Sequence, residues 1–438
     1  FNNIVMNSIF IFLFFLILLF IIIRMFIRCQ QVYYFDNNAT TTYIKPEIKD
    51  TICKWLDCGN PSNTLYKLGQ DAAYHNYKAR EIIANDLQVD PTEIYFTSNA
   101  TESNNIAIQS IINYYLDHNT LDIYTIMCSN IEHPSVLEIF KHYQNNPRIN
   151  VVFIPIDNNI NSEFYGSINP YNLEKLIKQQ KNRIILLSAM FANNETGAIN
   201  PVKTIGDICK NYNIVFHCDV TQAIGKYIIH PEELGIHALT FSGHKIHAPK
   251  GVGCLYLKNQ ILLNSKVIKK CNIETKNLYG VCFGGEQTII RPGTENVAFN
   301  IALAMALEDI HKGRIKKNQK MLYLKNYLWH HLKNMNCELI NPKHCMPNTL
   351  LIIVNSINCC NKVFARDLAT NYGVCVGTSS ACQTSKTNSH VVAAMNIPEK
   401  KREHIIRISM CDYTTKSDCK HLLDGFYHTI QKHKIIKN

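Results

Sequence analysis

The sequence predicts an α/β protein with a mainly parallel sheet, followed by a smaller α+β unit. Apolar runs of strand length alternate with helical patterns as far as Thr294, and such alternation favours parallel strands connected by helices. Beyond Thr294 the sequence changes to long helical patterns with a few separated strands. A chain of 438 residues is also too long for one simple core, so two domains are expected.

Apolar runs bounded by polar residues, glycine or proline predict the seven strands of the large sheet. They cover residues 94–97, 123–128, 151–156, 184–190, 214–218, 238–241 and 253–257. Helical patterns lie between several of them, at residues 72–86, 102–113, 134–143, 171–179 and 202–212. Ligands bind beyond the strand ends in such folds, so the site is expected there.

The smaller unit is predicted from one or two long helices at 300–329, strands at 350–354, 374–376 and 405–409, and helices at 364–370 and 417–433. We assign residues 47–298 to a large domain. Residues 31–46 and 299–438 are assigned to a small domain.

Residues 1–30 form a separate hydrophobic segment, with only Ile, Leu and Phe from 9 to 23. As a helix, residues 4–27 would span roughly 36 Å, enough to cross a bilayer. Arg24 and Arg28 flank only the C-terminal end, so the positive-inside rule predicts a membrane anchor with the rest of the chain on the cytosolic side. Because the chain begins with Phe1, a fragment or a mis-assigned start is the alternative, with a soluble cytosolic or organellar protein as the other localisation.

Charge and cysteine content exclude two classes of protein. The net charge of +11 is modest for this length, and no basic stripe is interleaved with aromatic residues, so nucleic-acid binding is not expected. The 17 cysteines include no Cys-x-x-Cys pair, which argues against a zinc finger. Most of them are expected to be free, buried thiols in a reducing compartment.

One lysine has the sequence context of a pyridoxal phosphate site. Lys245 follows Ser242-Gly243-His244, and Asp219 lies upstream at the end of a predicted strand. A lysine amine can form a Schiff base with this cofactor, and a carboxylate can keep its pyridine nitrogen protonated. Ala100 and Thr101 begin a predicted helix, where backbone N–H groups favour a phosphate, although Thr101 would also serve as a plain helix cap.

Ten short motifs lie between about Tyr33 and Thr415, and they follow one another in the order found in a known family. They lie at residues 34–41, 59–62, 97–104, 132–134, 193–197, 219–222, 242–245, 291–296, 379–382 and 407–409. Together they resemble the cysteine desulfurases, class V members of the fold-type I enzymes that depend on pyridoxal phosphate. The likeness is to the nitrogenase and housekeeping iron–sulfur branch, and it implies the fold-type I transferase fold.

The resemblance implies a role for each candidate residue. Lys245 and Cys382 would be catalytic, with His133 stacked on the cofactor ring and moving protons. The cofactor contacts would come from Ala100, Thr101, Asn194, Asp219, Gln222, Ser242, His244, Lys245 and Thr294. Thr294 would reach the site of the partner subunit, which implies a homodimer. The iron–sulfur association links the family to metal-binding, but no residue is assigned as a metal ligand.

Two further residues would handle the substrate. Arg407 lies in an isoleucine-rich predicted strand and needs an anionic partner, and the α-carboxylate of an amino acid fits its guanidinium. A structural salt bridge is the alternative, and the family implies that Asn194 also contacts the carboxylate. Cys382 lies in a small, polar stretch that predicts an exposed loop, whereas a structural cysteine prefers apolar neighbours.

The implied activity converts L-cysteine to L-alanine and leaves a persulfide on Cys382, whose sulfur passes to an acceptor protein for iron–sulfur assembly or thio-modification. Selenocysteine lyase and an aminotransferase of the same fold are the alternatives among enzymes. A catalytically silent, membrane-tethered sulfur carrier is the alternative outside them. The chain departs from the family where Cys411-Asp412 replaces a common Gly-Arg.

Overall fold

The computed structural model describes residues 31–118, 121–258, 282–284, 290–355, 357–378 and 389–434. The predicted membrane anchor, residues 1–30, lies outside these ranges, and so does Cys382. No helix within the described ranges is both long enough and apolar enough to cross a membrane.

A seven-stranded, mainly parallel sheet forms the larger part of the molecule, as the sequence predicts. Its order is β2-β8-β7-β6-β5-β3-β4, and only β8 runs antiparallel to its neighbours. The strands are β2 (Ile94–Thr97), β3 (Tyr124–Ser129), β4 (Ile149–Ile154), β5 (Arg183–Ser188), β6 (Val215–Asp219), β7 (Ala238–Ser242) and β8 (Gly253–Leu257).

Both faces of this sheet pack against hydrophobic clusters, which explains why its strands are mainly apolar. Successive residues of one strand enter different hydrophobic clusters: Leu187 packs in one and Leu186 in the other. Met127 and Ile126 of the neighbouring strand divide in the same way. A sheet covered on two sides cannot show the polar alternation of a half-exposed strand.

Helices cover this sheet and connect its strands. They are α1 (Pro46–Trp55), α2 (Lys67–Leu87), α3 (Ala100–His118), α4 (Pro134–Tyr143), α5 (Pro170–Lys178), α6 (Val202–Asn211) and α7 (Pro231–Leu234). Proline stands at the start of α1, α4, α5 and α7, where its fixed backbone angle suits the first turn and no hydrogen bond is lost.

The second sheet contains the first strand of the described chain. Its order is β1-β11-β12-β10-β9, and β1 pairs in parallel with β11. The strands are β1 (Tyr33–Phe35), β9 (Cys337–Leu339), β10 (Thr349–Val354), β11 (Val374–Thr378) and β12 (Ile405–Ser409). The associated helices are α8 (Val297–His311), α9 (Arg314–Leu332), α10 (Asn361–Tyr372), α11 (His390–Ala394), α12 (Glu399–Arg402) and α13 (Lys416–Lys432).

Several element bounds differ from the sequence prediction. The pattern at 300–329 forms two helices because Gly313 between them adopts a left-handed backbone, with φ of 73°. The short strands β1 and β9 were missed, since three-residue strands are too short to show periodicity. The ten-residue helix α1 was missed as well. The domain boundaries stay a prediction.

Candidate active site

A cavity of about 440 Å³ opens beyond the carboxyl ends of β2, β3, β5, β6 and β7. Parallel strands leave their carboxyl ends at one edge of a sheet, so the loops that follow them converge there. Ten of the predicted site residues line this cavity: Ala100, Thr101, His133, Asn194, Asp219, Gln222, Ser242, His244, Lys245 and Arg407.

Asp219 is the last residue of β6 and is held rigidly at the cavity wall. Its Oδ2 accepts a hydrogen bond from Asn104 Nδ2 at 3.1 Å, and its Oδ1 accepts one from the Thr221 amide at 2.9 Å. Thr240 Oγ1 donates to Asn104 Oδ1 at 2.6 Å and orients that amide. The buried Thr221 hydroxyl has no hydrogen-bond partner within the described ranges. A fixed carboxylate therefore lies beside an unsatisfied hydroxyl.

The N-terminus of α3 forms another wall. Ala100 N donates to Ser242 Oγ at 2.7 Å, which ties this helix start to the end of β7. Asn99 Oδ1 accepts from Glu102 N at 2.9 Å, so Asn99, and not Thr101, caps the helix. His244 Nδ1 lies 2.9 Å from Thr40 Oγ1, and burial, with the charges of Lys245 and Lys250, lowers the pKa of His244 to about 4. This end combines neutral donors with the positive end of a helix dipole.

Lys245 ends a short 3₁₀ turn (Gly243–Lys245) that follows β7 directly. Its Nζ donates to the carbonyl oxygens of Asn38 and Ala39, the latter at 2.7 Å. Both carbonyls belong to the segment after β1, so the N-terminal part of the described chain covers the lysine. Gln222 Nε2 also donates to Asn38 O, at 3.1 Å.

His133 caps α4 and faces the same cavity. Its Nδ1 accepts from the Ser135 amide at 3.1 Å, and burial lowers its pKa, so the ring is neutral at pH 7. The preceding Glu132 is completely buried: Oε1 accepts from Met190 N at 2.7 Å, while Oε2 has no partner in the described part of the chain. Burial raises the pKa of Glu132 to about 8.

Arg407 extends from β12 into the cavity and already has a protein carboxylate as partner. Its Nη2 lies 2.5 Å from Asp36 Oδ1, and its Nη1 donates to Asn194 O at 2.8 Å. Its buried Nε makes no hydrogen bond to any described residue. The salt bridge that the sequence left as an alternative is therefore present, and the guanidinium has further N–H groups beyond the two used by these contacts.

Glu195 adds a second carboxyl group at the arginine end of the cavity. Ser389 Oγ donates to Glu195 Oε2 at 2.6 Å, and the next residue, His390, lies with Nε2 3.1 Å from Glu132 O. Burial raises the pKa of Glu195 to about 7, although Ser389 and Arg407 oppose the shift. The two carboxyl groups are thus both poised to hold a proton near neutral pH.

The remaining predicted residues are not in this cavity. Thr294 is described, but it is exposed and lies outside the lining. Cys382 belongs to residues 379–388, outside the described ranges, which resume at Ser389 on the cavity wall.

Sequence reasoning did not select four residues that shape the site: Asp36, Asn104, Glu132 and Glu195. Each lies inside a motif that was recognised, at 34–41, 97–104, 132–134 and 193–197. The motifs were therefore a usable signal. Their hydrogen bonds to Arg407, Asp219, Met190 and Ser389 join residues distant in sequence, which no local pattern reveals.

The amino-acid sequence matches a known family over most of its length. The family model for aminotransferase class-V matches residues 33–422. A curated relative, cysteine desulfurase IscS of Dictyoglomus turgidum, is 31% identical over 404 residues, covering 91% of this chain and 94% of that protein. Cysteine desulfurase IscS of Methanosarcina thermophila is 31% identical over 407 residues, covering 91% and 92%.

Solved structures show the same fold. A NifS-like protein superposes with a TM-score of 0.77 at 30% sequence identity, covering 91% of this chain and 99% of that chain. SspA, solved in complex with cysteine, gives a TM-score of 0.70 at 25% identity, covering 87% and 99%.

Proposed function

The chain belongs to the aminotransferase class-V family, and on that premise we propose that it is a pyridoxal phosphate-dependent cysteine desulfurase. The reaction converts L-cysteine to L-alanine and supplies the sulfur for iron–sulfur cluster assembly or thio-modification. One observation carries the proposal: Lys245, Asp219 and the α3 N-terminus share a cavity with Arg407, in a chain 31% identical to enzymes of that name.

The residues present fit pyridoxal phosphate. Asp219 offers a fixed carboxylate for the pyridine nitrogen, and the unpartnered Thr221 hydroxyl beside it offers a further polar contact. Thr101, Ser242 and His244 surround a helix N-terminus suited to a phosphate. Lys245 would hold the cofactor covalently, with Asn194 and Gln222 at the ring edge and His133 stacked on it. When bound, the cofactor withdraws electrons from the substrate's α-carbon and so weakens the carbon–sulfur bond.

The chain's own groups would orient the substrate and move its protons. Arg407 would bind the α-carboxylate with N–H groups that its contacts to Asp36 and Asn194 O leave unused, while those contacts fix the guanidinium. Lys245 can take the α-proton, and neutral His133 can assist because its pKa is lowered by burial.

Cys382 is the proposed sulfur acceptor. Its thiolate forms a sulfur–sulfur bond to the substrate as the carbon–sulfur bond breaks. The electron pair of that bond stays on carbon, which takes a proton to become alanine. The persulfide then passes its outer sulfur to a thiol of an acceptor protein.

Alanine release from L-cysteine tests this function. Cys382→Ala is expected to abolish release and to retain the absorbance of the bound cofactor, because the cavity residues are unchanged. Cys53→Ala, which removes an exposed thiol of α1, is the matched control and should keep full turnover. Unchanged release by Cys382→Ala, or a wild-type protein that binds no pyridoxal phosphate, would contradict the proposal.

A homodimer is part of the same proposal. Exposed large apolar side chains concentrate at residues 56–77: Leu56, Leu65, Tyr66, Leu68, Tyr74 and Tyr77. Thr294 is also exposed and precedes Glu295, which pairs with Arg80 of α2 at 2.6 Å. Apolar exposure of this extent marks protein interfaces, and a second copy would bring its Thr294 to this face.

Attachment to a membrane by residues 1–30, with the enzyme on the cytosolic side, is proposed from their composition. Flotation with lipid vesicles tests it: the full chain should float, and a chain starting at Gln31 should not.

A further inference from the structure

Three segments of the described chain meet at His247, on the side of Lys245 away from the large cavity. His247 lies two residues after Lys245, and its Nδ1 donates to Tyr43 O at 2.9 Å. Its Nε2 lies 3.0 Å from Asp412 Oδ1, in the loop that follows β12. Both ring nitrogens face oxygen acceptors, so the ring connects the segment that contains Tyr43 with the loop that contains Asp412.

The backbone of His247 shows that this arrangement is imposed by its surroundings. Its φ is 67°, in the left-handed region that a histidine rarely adopts. Such a conformation is strained in a residue with a Cβ atom and persists only where neighbouring contacts outweigh the strain. Here the side chain is 6% exposed, and the Tyr413 ring packs edge-on against it with centroids 5.0 Å apart.

Asp412 is held as firmly as its partner. Its Oδ2 lies 3.4 Å from Lys317 Nζ, and Lys320 Nζ donates to its carbonyl oxygen at 2.7 Å. Burial opposes ionisation, but the hydrogen bond from His247 and the charges of His247 and Lys317 lower its pKa to about 2. Met410 N donates to Asn348 O at 3.0 Å, which fixes the start of the same loop.

The segments joined here are the ones that carry the chemistry. Asp412 lies five residues beyond Arg407, and the residues from Asp36 to Tyr43 supply the partner of Arg407 and the carbonyls that bind Lys245. His247, Asp412 and Lys245 also line one small cavity of about 20 Å³. The contact therefore lies directly behind the lysine.

We propose that His247 and Asp412 form a clasp that sets the separation between Lys245 and Arg407, and so determines how well the site binds a substrate carrying an α-carboxylate. This inference rests on the proposed function. Both are positioning residues, because neither lines the large cavity. A shift of the loop after β12 would move Arg407 relative to the cofactor lysine and leave the lysine's own attachment intact.

Two ligands that undergo no sulfur chemistry separate the clasp from general stability. L-Alanine has the carboxylate, and ethylamine lacks it; both are titrated against the cofactor absorbance of the holoenzyme. Asp412→Asn keeps the shape and removes the charge. His247→Asn removes the ring, yet asparagine tolerates positive φ, so the backbone is spared. Asp86→Asn breaks another partly buried pair, with His311, outside both cavities and is the matched control.

We expect Asp412→Asn and His247→Asn each to weaken L-alanine binding by about tenfold and ethylamine binding by less than about twofold. Asp86→Asn should lower the melting temperature of the apoprotein and leave the ratio of the two affinities unchanged. An unchanged ratio in both clasp variants would overturn the inference. It would leave the proposed function standing if the wild type still released alanine from L-cysteine. A wild type without cofactor or alanine release would overturn both.

Discussion

The carboxyl group of Glu132 is the clearest case of a side chain whose ionisation opposes folding. It is fully buried beside His133, one of its oxygens has no described partner, and its pKa is raised to about 8 by burial. In the unfolded chain the same group titrates near 4.5. Between these values only the folded state keeps the proton, so the free energy of unfolding falls as the pH rises.

Glu132→Gln is therefore expected to stabilise the protein in a pH-dependent way. Glutamine retains an oxygen for Met190 N but cannot ionise, so the gain over wild type should grow between pH 5 and pH 8 by on the order of 3–4 kcal/mol. Denaturant unfolding of the apoprotein at several pH values measures it. The control is Glu138→Gln, which breaks only an exposed ion pair with Lys141 and should change the free energy of unfolding by less than about 1 kcal/mol at each pH. A gain that shrinks with rising pH would contradict the argument.

The role of a site residue was predictable where its neighbours in the sequence indicate that role. Lys245 after Ser-Gly-His and Asp219 at a strand end were chosen from their immediate neighbours, and both line the cavity. Arg407 was recognised as needing an anion, but its contact with Asp36 spans 371 residues of sequence. Choosing between a substrate and a protein carboxylate required the fold.

Among the elements, β11 shows how one backbone position controls the arginine site. A Cβ atom at Gly377 would lie 2.6 Å from Asp36 Oδ1 and 2.7 Å from Arg407 Nε and Nη2. No side chain fits there without displacing the pair. The strand opposite β12 must therefore carry glycine beside Arg407, its partner in register.

Gly377→Ala should displace the Asp36–Arg407 pair. We expect L-alanine to bind the holoenzyme about tenfold more weakly, with a stability loss of about 1–3 kcal/mol from overpacking. Gly425→Ala in α13 is the control, because its Cβ would come no closer than 3.2 Å to the Tyr372 side chain. Absorbance titration and thermal unfolding provide the two measurements. Wild-type affinity in Gly377→Ala would show that the pair does not orient the substrate.

The seven strands of the large sheet were located to within a few residues, because packing on both faces makes most of their residues apolar. The antiparallel direction of β8 was not predicted, since apolar content is the same for either direction. β1 and β9 were missed because each contributes only three residues to a sheet whose other strands supply the burial.

At the scale of the whole molecule, residues 56–77 and Thr294 predict a dimer that completes the phosphate end of the site. Leu65 is 91% exposed. We expect it to lie near the centre of the dimer interface, so Leu65→Asp should weaken self-association. Light scattering should show the mass falling toward 50.2 kDa, with reduced cofactor retention. The control is Leu121→Asp. Leu121 is 89% exposed but lies outside residues 56–77, so this change should alter neither the mass nor cofactor retention. A wild type that is monomeric at all concentrations would contradict the prediction.

The overall architecture, two sheets with a site at the strand ends of the larger one, followed from alternation and motif order. The joining of distant segments did not, because contacts such as His247 with Asp412 depend on how the two sheets meet. Sequence patterns show local periodicity. The position of one sheet against the other depends on the packing between them, and many different sequences can produce the same packing.

The pairing of β1 with β11 has a consequence for synthesis on the ribosome. Residues 33–35 can pair with residues 374–376 only after more than 300 intervening residues have emerged from the ribosome. Until then the carbonyls of Asn38 and Ala39 have no fixed place near Lys245. A nascent chain can therefore fold much of the large sheet early, but it cannot acquire a finished catalytic pocket until residues 374–376 have been translated.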